Sequence, residues 1–140
     1  MSTLAEKRRA LISDFDIIFD HQERLASAVE RAKRAPALPA EFKITSNRVA
    51  GCTSPVWLVA EKRGGILTFR SDAESPLVRA LVLLLCEFYN GGTPADIAAT
   101  DERLFDTMGL TENLSPTRRH GLAAVQARIR QFAQDAAELG

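Results

Sequence analysis

A chain of 140 residues, 46% of them hydrophobic, has the size of one ordinary domain and can bury a core without disulfide or metal staples. Its 18 basic and 18 acidic residues cancel, which leaves no overall field to draw it onto nucleic acid or an anionic membrane. The two cysteines, Cys52 and Cys86, sit in different contexts and do not form a secreted disulfide framework, so a reducing compartment is expected.

The opening M-S-T-L-A-E-K-R-R-A-L-I carries no long apolar stretch after its charges, and no signal peptide is expected. From Thr3 to Phe19 the apolar residues Leu4, Leu11, Ile12, Phe15, Ile18 and Phe19 recur at helical spacing. Ser13 and Asp14 offer a break between a short first helix and a longer second one, which runs through Leu25 and Val29 to Arg34. Pro36 and Pro39 stop it, and the connector from Ala35 to Ser46 keeps Leu38, Phe42 and Ile44, which predicts a linker packed on the body.

Val56–Ala60 and Gly65–Arg70 are short β-prone runs joined across Lys62–Gly65, a hairpin, with Val49 ending a preceding strand. Ser71–Ser75 reads as a polar connection, and Ser75-Pro76 has the order of an N-cap and first helical residue. The helix that follows carries Leu77, Leu81, Leu84, Leu85 and Phe88 on one stripe and Val78, Val82 and Tyr89 on a second. Such a helix is the centre of a core, and its run from Ala80 to Leu85 is far too short to span a bilayer. Asn90-Gly91-Gly92 ends it, Thr93-Pro94 starts a short helix to about Ala99, and Asp101 opens another segment, with Leu104, Phe105 and Met108, closed at Gly109. Ser115-Pro116 then caps a last helix striped by Leu122, Val125, Ile129, Phe132 and Ala136. Helices on both sides of one hairpin, without alternating strand and crossover, predict a single α+β domain over residues 1–140 with a small antiparallel sheet. The expected setting is soluble and cytoplasmic.

Chemistry concentrates between Asn47 and Leu58, N-R-V-A-G-C-T-S-P-V-W-L. Gly51 permits backbone angles that would present Cys52 at a sharp bend, and Arg48 is placed to favour its thiolate. A small buried hydrophobe at a strand end is the competing reading, because free cysteines are among the most buried residues. Trp57, in an apolar strand, is expected to pack in the core, and Cys86 is expected to be structural. Arg118 and Arg119 fall in the first turn of the last helix, where the dipole disfavours cations. They form either a solvated pair or a cluster that meets an acidic partner or an anionic sulfur species. His21, His120, Cys52 and Cys86 show no metal-ligand spacing, and no Walker loop is present. No metal or cofactor is therefore expected. A cysteine hydrolase would need His120 brought beside Cys52.

In residue order the chain resembles the SufE family of sulfur acceptors, which serve cysteine desulfurases in iron–sulfur cluster assembly. The resemblance begins at Pro36-Ala37-Leu38-Pro39 and becomes specific at N-R-V-x-G-C-x-S-x-V-W-L. It continues through S-D-A-E, the core helix, G-T-P-A-D-I, F-D-T-M-G-L and L-S-P-T-R-R-H-G-L, about two thirds of the chain. It implies a SufE/IscU-like fold, a sulfur-accepting persulfide carrier at Cys52, and an accessory protein instead of an enzyme. Implied partners are a SufS-like desulfurase, stimulated by removal of its sulfur, and a SufB-like scaffold. Partner-surface candidates are Arg118, which matches the family's S-R-x-x-G-L arginine, Glu74 in the acidic loop, Arg119, Arg48 and Gly51. A regulatory module that binds a desulfurase or scaffold without carrying sulfur is the alternative. The chain departs from the family at Thr53 and Pro55, where glutamines are common, at Arg119 and His120, where small or neutral polar residues are usual, and at Arg31-Ala32 in place of a leucine–glycine pair.

Overall fold

The computed structural model describes residues 3–100 and 103–138. Helix α1, Leu4–Asp16, opens with a capping box: Thr3 Oγ1 accepts from the Glu6 amide while the Glu6 carboxylate accepts from the Thr3 amide. Ser13 and Asp14 lie inside it and do not break it. The chain leaves the helix only after Asp16, and α2, His21–Ala32, starts where Asp20 accepts from the Gln22 amide at 2.7 Å. Leaving at Ser13 would strip Phe15 from the core, whereas Asp20 supplies a cap at no cost in burial. Phe19, expected on the buried stripe, consequently stands 96% exposed, beside an 82% exposed Ile17.

The linker crosses the body in two 3-10 turns, Ala40–Phe42 and Thr45–Asn47. It buries Leu38 and lays Phe42 under the Arg70 guanidinium, as a packed linker should, but leaves Ile44 half-exposed. Strands β1, Val56–Arg63, and β2, Ile66–Ala73, pair antiparallel from Val56↔Ala73 to Arg63↔Ile66, and each extends beyond its expected end. Gly64 and Gly65 both take positive φ, +60° and +81°, the left-handed pair that a two-residue hairpin turn requires. Val56, Leu58, Leu67 and Phe69 face the core. The expected strand before the hairpin is a single bridge, Arg48↔Trp57, with the Val49 amide donating to the Val56 carbonyl at 2.8 Å.

Ser71–Ala73 is the buried end of β2, not a polar connection. Burial of Asp72 is possible because four donors meet its carboxylate: the Leu38 amide at 3.2 Å, the Ala73 amide at 2.9 Å, Arg79 Nε at 3.0 Å and Lys43 Nζ at 3.3 Å. Helix α3, Pro76–Tyr89, is capped by Ser75 and packs against β2 and α2 as the central core helix. Past it, Asn90 Oδ1 accepts from the Phe69 amide, while Leu67 exchanges backbone hydrogen bonds with Gly91 and Gly92. Helices α4, Pro94–Ala98, and α5, Leu104–Thr107, are short. Asp101, expected to open the segment that holds α5, lies outside the described residues. Helix α6, Pro116–Glu138, buries Leu122, Val125, Ile129 and Ala133, while Phe132 and Ala136 are half-buried at the edge of the stripe. Among the described residues the architecture is α+β, helices packed on a two-stranded antiparallel sheet, as expected.

Candidate functional site

The loop from Val49 to Pro55 is tied at both ends. The Val49 amide holds the Val56 carbonyl, and the Glu74 amide donates to the Pro55 carbonyl at 3.2 Å. Between these ties Gly51 adopts φ +93°, and a Cβ placed on it would lie 3.3 Å from Ala124 Cβ and 3.7 Å from His120 Nε2. Glycine is therefore favoured by the backbone conformation, and the closeness of α6 leaves a larger residue little room. Gly51→Ala is expected to cost about 1–2 kcal/mol in urea unfolding, the steric penalty of a Cβ in left-handed backbone. A variant as stable as the parent would show that the loop relaxes freely.

Cys52 is half-buried, and its thiol donates to the Gly121 carbonyl at 3.5 Å. A Cβ on Gly121 would sit 3.6 Å from Sγ, so the loop lies along a glycine–alanine face of α6 made by Gly121 and Ala124. Sγ borders a cavity of about 430 Å³ lined also by Ser54, Ser75, Val78, Ser115, Thr117 and Arg118. With Thr53 the lining carries five hydroxyls and one guanidinium, groups able to hydrogen-bond an anionic guest. Burial pushes the Cys52 thiol above its ordinary range, and the Arg48 charge pulls it only part of the way back. The expectation that Arg48 would favour the thiolate is right in sign, but desolvation outweighs it.

Arg48 and Arg118 are thus brought to the thiol. Glu74 is exposed on the turn before Ser75, outside the cavity lining, and Arg119 commits its Nε to the Leu114 carbonyl at 3.1 Å. Sequence reasoning missed Gly121 and the cavity hydroxyls as site residues; Ser75 and Ser115 are visible there only as helix caps. Trp57 is not in the core: alternation along β1 turns Val56 and Leu58 inward and leaves Trp57 half-buried on the outer face, with Lys43 Nζ 5.6 Å from the ring centroid. Cys86 is buried as expected, donating to Ser71 Oγ at 3.4 Å, with burial pushing its thiol up to about 11. Its cavity, about 480 Å³ between α2, α3 and the linker, is a separate one. Among the described residues, no group of three or more His, Cys, Asp or Glu could hold a metal ion.

The SufE family, described as an Fe-S metabolism associated domain, matches residues 9–133. An uncharacterized SufE-like protein of Rhizobium etli is 36% identical over 129 residues, covering 89% of this chain and 87% of the relative. A second, from Rhizobium meliloti strain 1021, is 31% identical over 129 residues, covering 89% of this chain and 92% of that relative. A hypothetical protein from Thermus thermophilus, solved in solution, superposes with a TM-score of 0.77 over 94% of this chain and 96% of its own, and at 24% identity it speaks for the fold alone.

Proposed function

The chain belongs to the SufE family, which is associated with Fe-S metabolism, and on that premise we propose that it accepts sulfur from a cysteine desulfurase onto Cys52. The observation that carries this reading is the placement of Sγ, on a glycine-bent loop at the edge of a hydroxyl-lined cavity beside Arg118. The Cys52 thiolate attacks the terminal sulfur of the donor's persulfide, the donor's S–S bond breaks, and the donor leaves as a thiolate. Cys52 is left as a persulfide, and no external oxidant or reductant is consumed. Arg118 and the hydroxyls of Ser75, Ser115 and Thr117 suit the anionic product, while Arg48 offsets part of the desolvation of its precursor.

In this reading residues 1–140 work as one acceptor domain, an accessory protein that stimulates a SufS-like desulfurase by unloading it and relays sulfur to a SufB-like scaffold. Glu74, exposed on the turn beside the cavity, and Arg119 serve the partner surface. A cytoplasmic setting is supported by the two free thiols; no helix of the described residues is long and apolar enough to cross a membrane. The test is desulfurase turnover with cysteine, with and without the protein. Cys52→Ser is expected to reduce stimulation to the level of desulfurase alone. Full stimulation by that variant would replace the carrier with a module that binds and regulates.

A further inference from the structure

We propose that His120 is the base that accepts the Cys52 proton, directly or through one water, as the thiol becomes a nucleophile; this rests on the sulfur-acceptor reading of Cys52. A base is needed because the resting thiol points its proton at the Gly121 carbonyl, which holds a proton by hydrogen bonding but cannot remove it. Burial further opposes ionisation, with Arg48 the opposing charge. The hydroxyls of Thr53, Ser54, Ser75, Ser115 and Thr117 and the guanidinium of Arg118 line the cavity, and none of these is a base near neutral pH.

His120 meets the requirement by position. Its Nε2 lies 3.7 Å from the place a Cβ on Gly51 would occupy, so the ring rests against the residue before the thiol. In α6 it immediately precedes Gly121, whose carbonyl holds the thiol. The ring is exposed and, among the described residues, makes no hydrogen bond or ion pair, whereas His21 is engaged with Glu112 at 2.6 Å. The charged groups on the elements packed here are Arg118 and Arg119 beside it on its own helix, Arg128 two turns further along, which donates to the Arg48 and Ser46 carbonyls, Arg48 at the start of the loop, and Glu74 on the turn before Ser75.

The step balances. The S–H bond breaks and its proton goes to the Nε2 lone pair of a ring that carries its own proton on Nδ1. The sulfur electron pair forms the bond to the donor's terminal sulfur, and the donor departs as a thiolate. An imidazolium then faces the persulfide anion, adding to Arg118. When the sulfur is passed on, Cys52 is released as a thiolate and recovers the proton.

The rate of iodoacetamide alkylation at Cys52, followed by peptide mass in the isolated full chain from pH 5 to 10, tests this without any partner. The wild-type rate is expected to climb across the range in which imidazoles titrate, roughly pH 5 to 8. His120→Gln should lose that limb, react at least roughly tenfold more slowly near neutrality, and converge with wild type only at the alkaline end, where a thiol raised above its ordinary range begins to ionise unaided. His120→Ala should regain the lost rate on addition of free imidazole, a response that a packing role would not give. Superimposable profiles for folded wild type and His120→Gln, or no rescue of His120→Ala, overturn the proposal. Desulfurase-dependent sulfur loading, measured in parallel, separates the two readings. A His120-dependent alkylation limb with no sulfur on Cys52 sinks the carrier and keeps the base, and normal loading with unchanged profiles does the reverse.

Discussion

Incubated with a cysteine desulfurase and cysteine, the protein is expected to gain the mass of one sulfur atom on the Cys52 peptide, removable by reductant, and none on the Cys86 peptide. The contrast comes from the two sulfur environments. Cys52 lies on a loop whose Ala50, Gly51 and Thr53 are exposed, and its thiol is held by one long contact with the Gly121 carbonyl. Cys86 is 3% exposed inside α3, donates to Ser71, and has its thiol pushed up to about 11. At neutral pH that leaves Cys86 almost wholly as the thiol, behind a core that must open before a protein-borne persulfide can reach it. Peptide masses after quenching with an alkylating reagent distinguish the sites. Sulfur on Cys86 with none on Cys52 would sink the assignment outright.

Replacement of Asp72 by alanine is expected to lower stability by about 3–5 kcal/mol in urea unfolding, because it strands cations that the carboxylate satisfies. Asp72 is 6% exposed and accepts from two backbone amides as well as from Arg79 and Lys43. Arg79 keeps its bonds to the Ala32 and Ala35 carbonyls at 2.9 and 3.2 Å, so its guanidinium remains held in place without a counter-charge. The linker, the end of β2 and the start of α3 all lose their common partner. Burial pushes the Asp72 carboxyl up, but the Ala73 and Leu38 amides and the Lys43 ammonium together hold it below the ordinary range. Its contribution is therefore fully present above the unfolded carboxyl value, about 3.9, and is lost as pH falls through the lower folded value. Wild type and Asp72→Ala should converge in stability under acid. A loss under about 1 kcal/mol at neutral pH, within the range of an ordinary surface change, would show that water replaces the carboxylate.

Local chemistry is legible in the sequence, and distant compensation is not. Ser75-Pro76, Thr93-Pro94 and Ser115-Pro116 all mark helix starts, because a cap and a preset φ act within four residues. Paired glycines likewise place the hairpin turn. Asp72 reads as part of a polar connection because nothing near it announces that Lys43, Leu38 and Arg79 converge on its carboxylate. Phe19 falls on an apparent buried stripe because apolar spacing ignores the stronger cap at Asp20. Trp57 is placed correctly only when strand alternation is weighed above aromatic bulk. At the site, Gly51 and Cys52 are visible from the residues themselves. The upward push on the thiol is not, since it comes from burial among elements far along the chain, Gly121 of α6 among them.

The short sheet also bears on how the protein stays apart from other chains. A two-stranded ribbon has two open edges, each a template for strand addition and aggregation. Here Leu67 exchanges backbone bonds with Gly91 and Gly92, and Asn90 takes the Phe69 amide, which covers the outer side of β2 from Leu67 to the Phe69 amide. On the other side the Arg48 bridge covers β1 at Trp57, and Glu61, Lys62 and Arg63 line its exposed end with charge. With part of one margin bonded to the chain's own return and the end of the other blunted by ionic side chains, a partner's strand finds little uninterrupted edge to extend, an arrangement that disfavours amyloid-type growth.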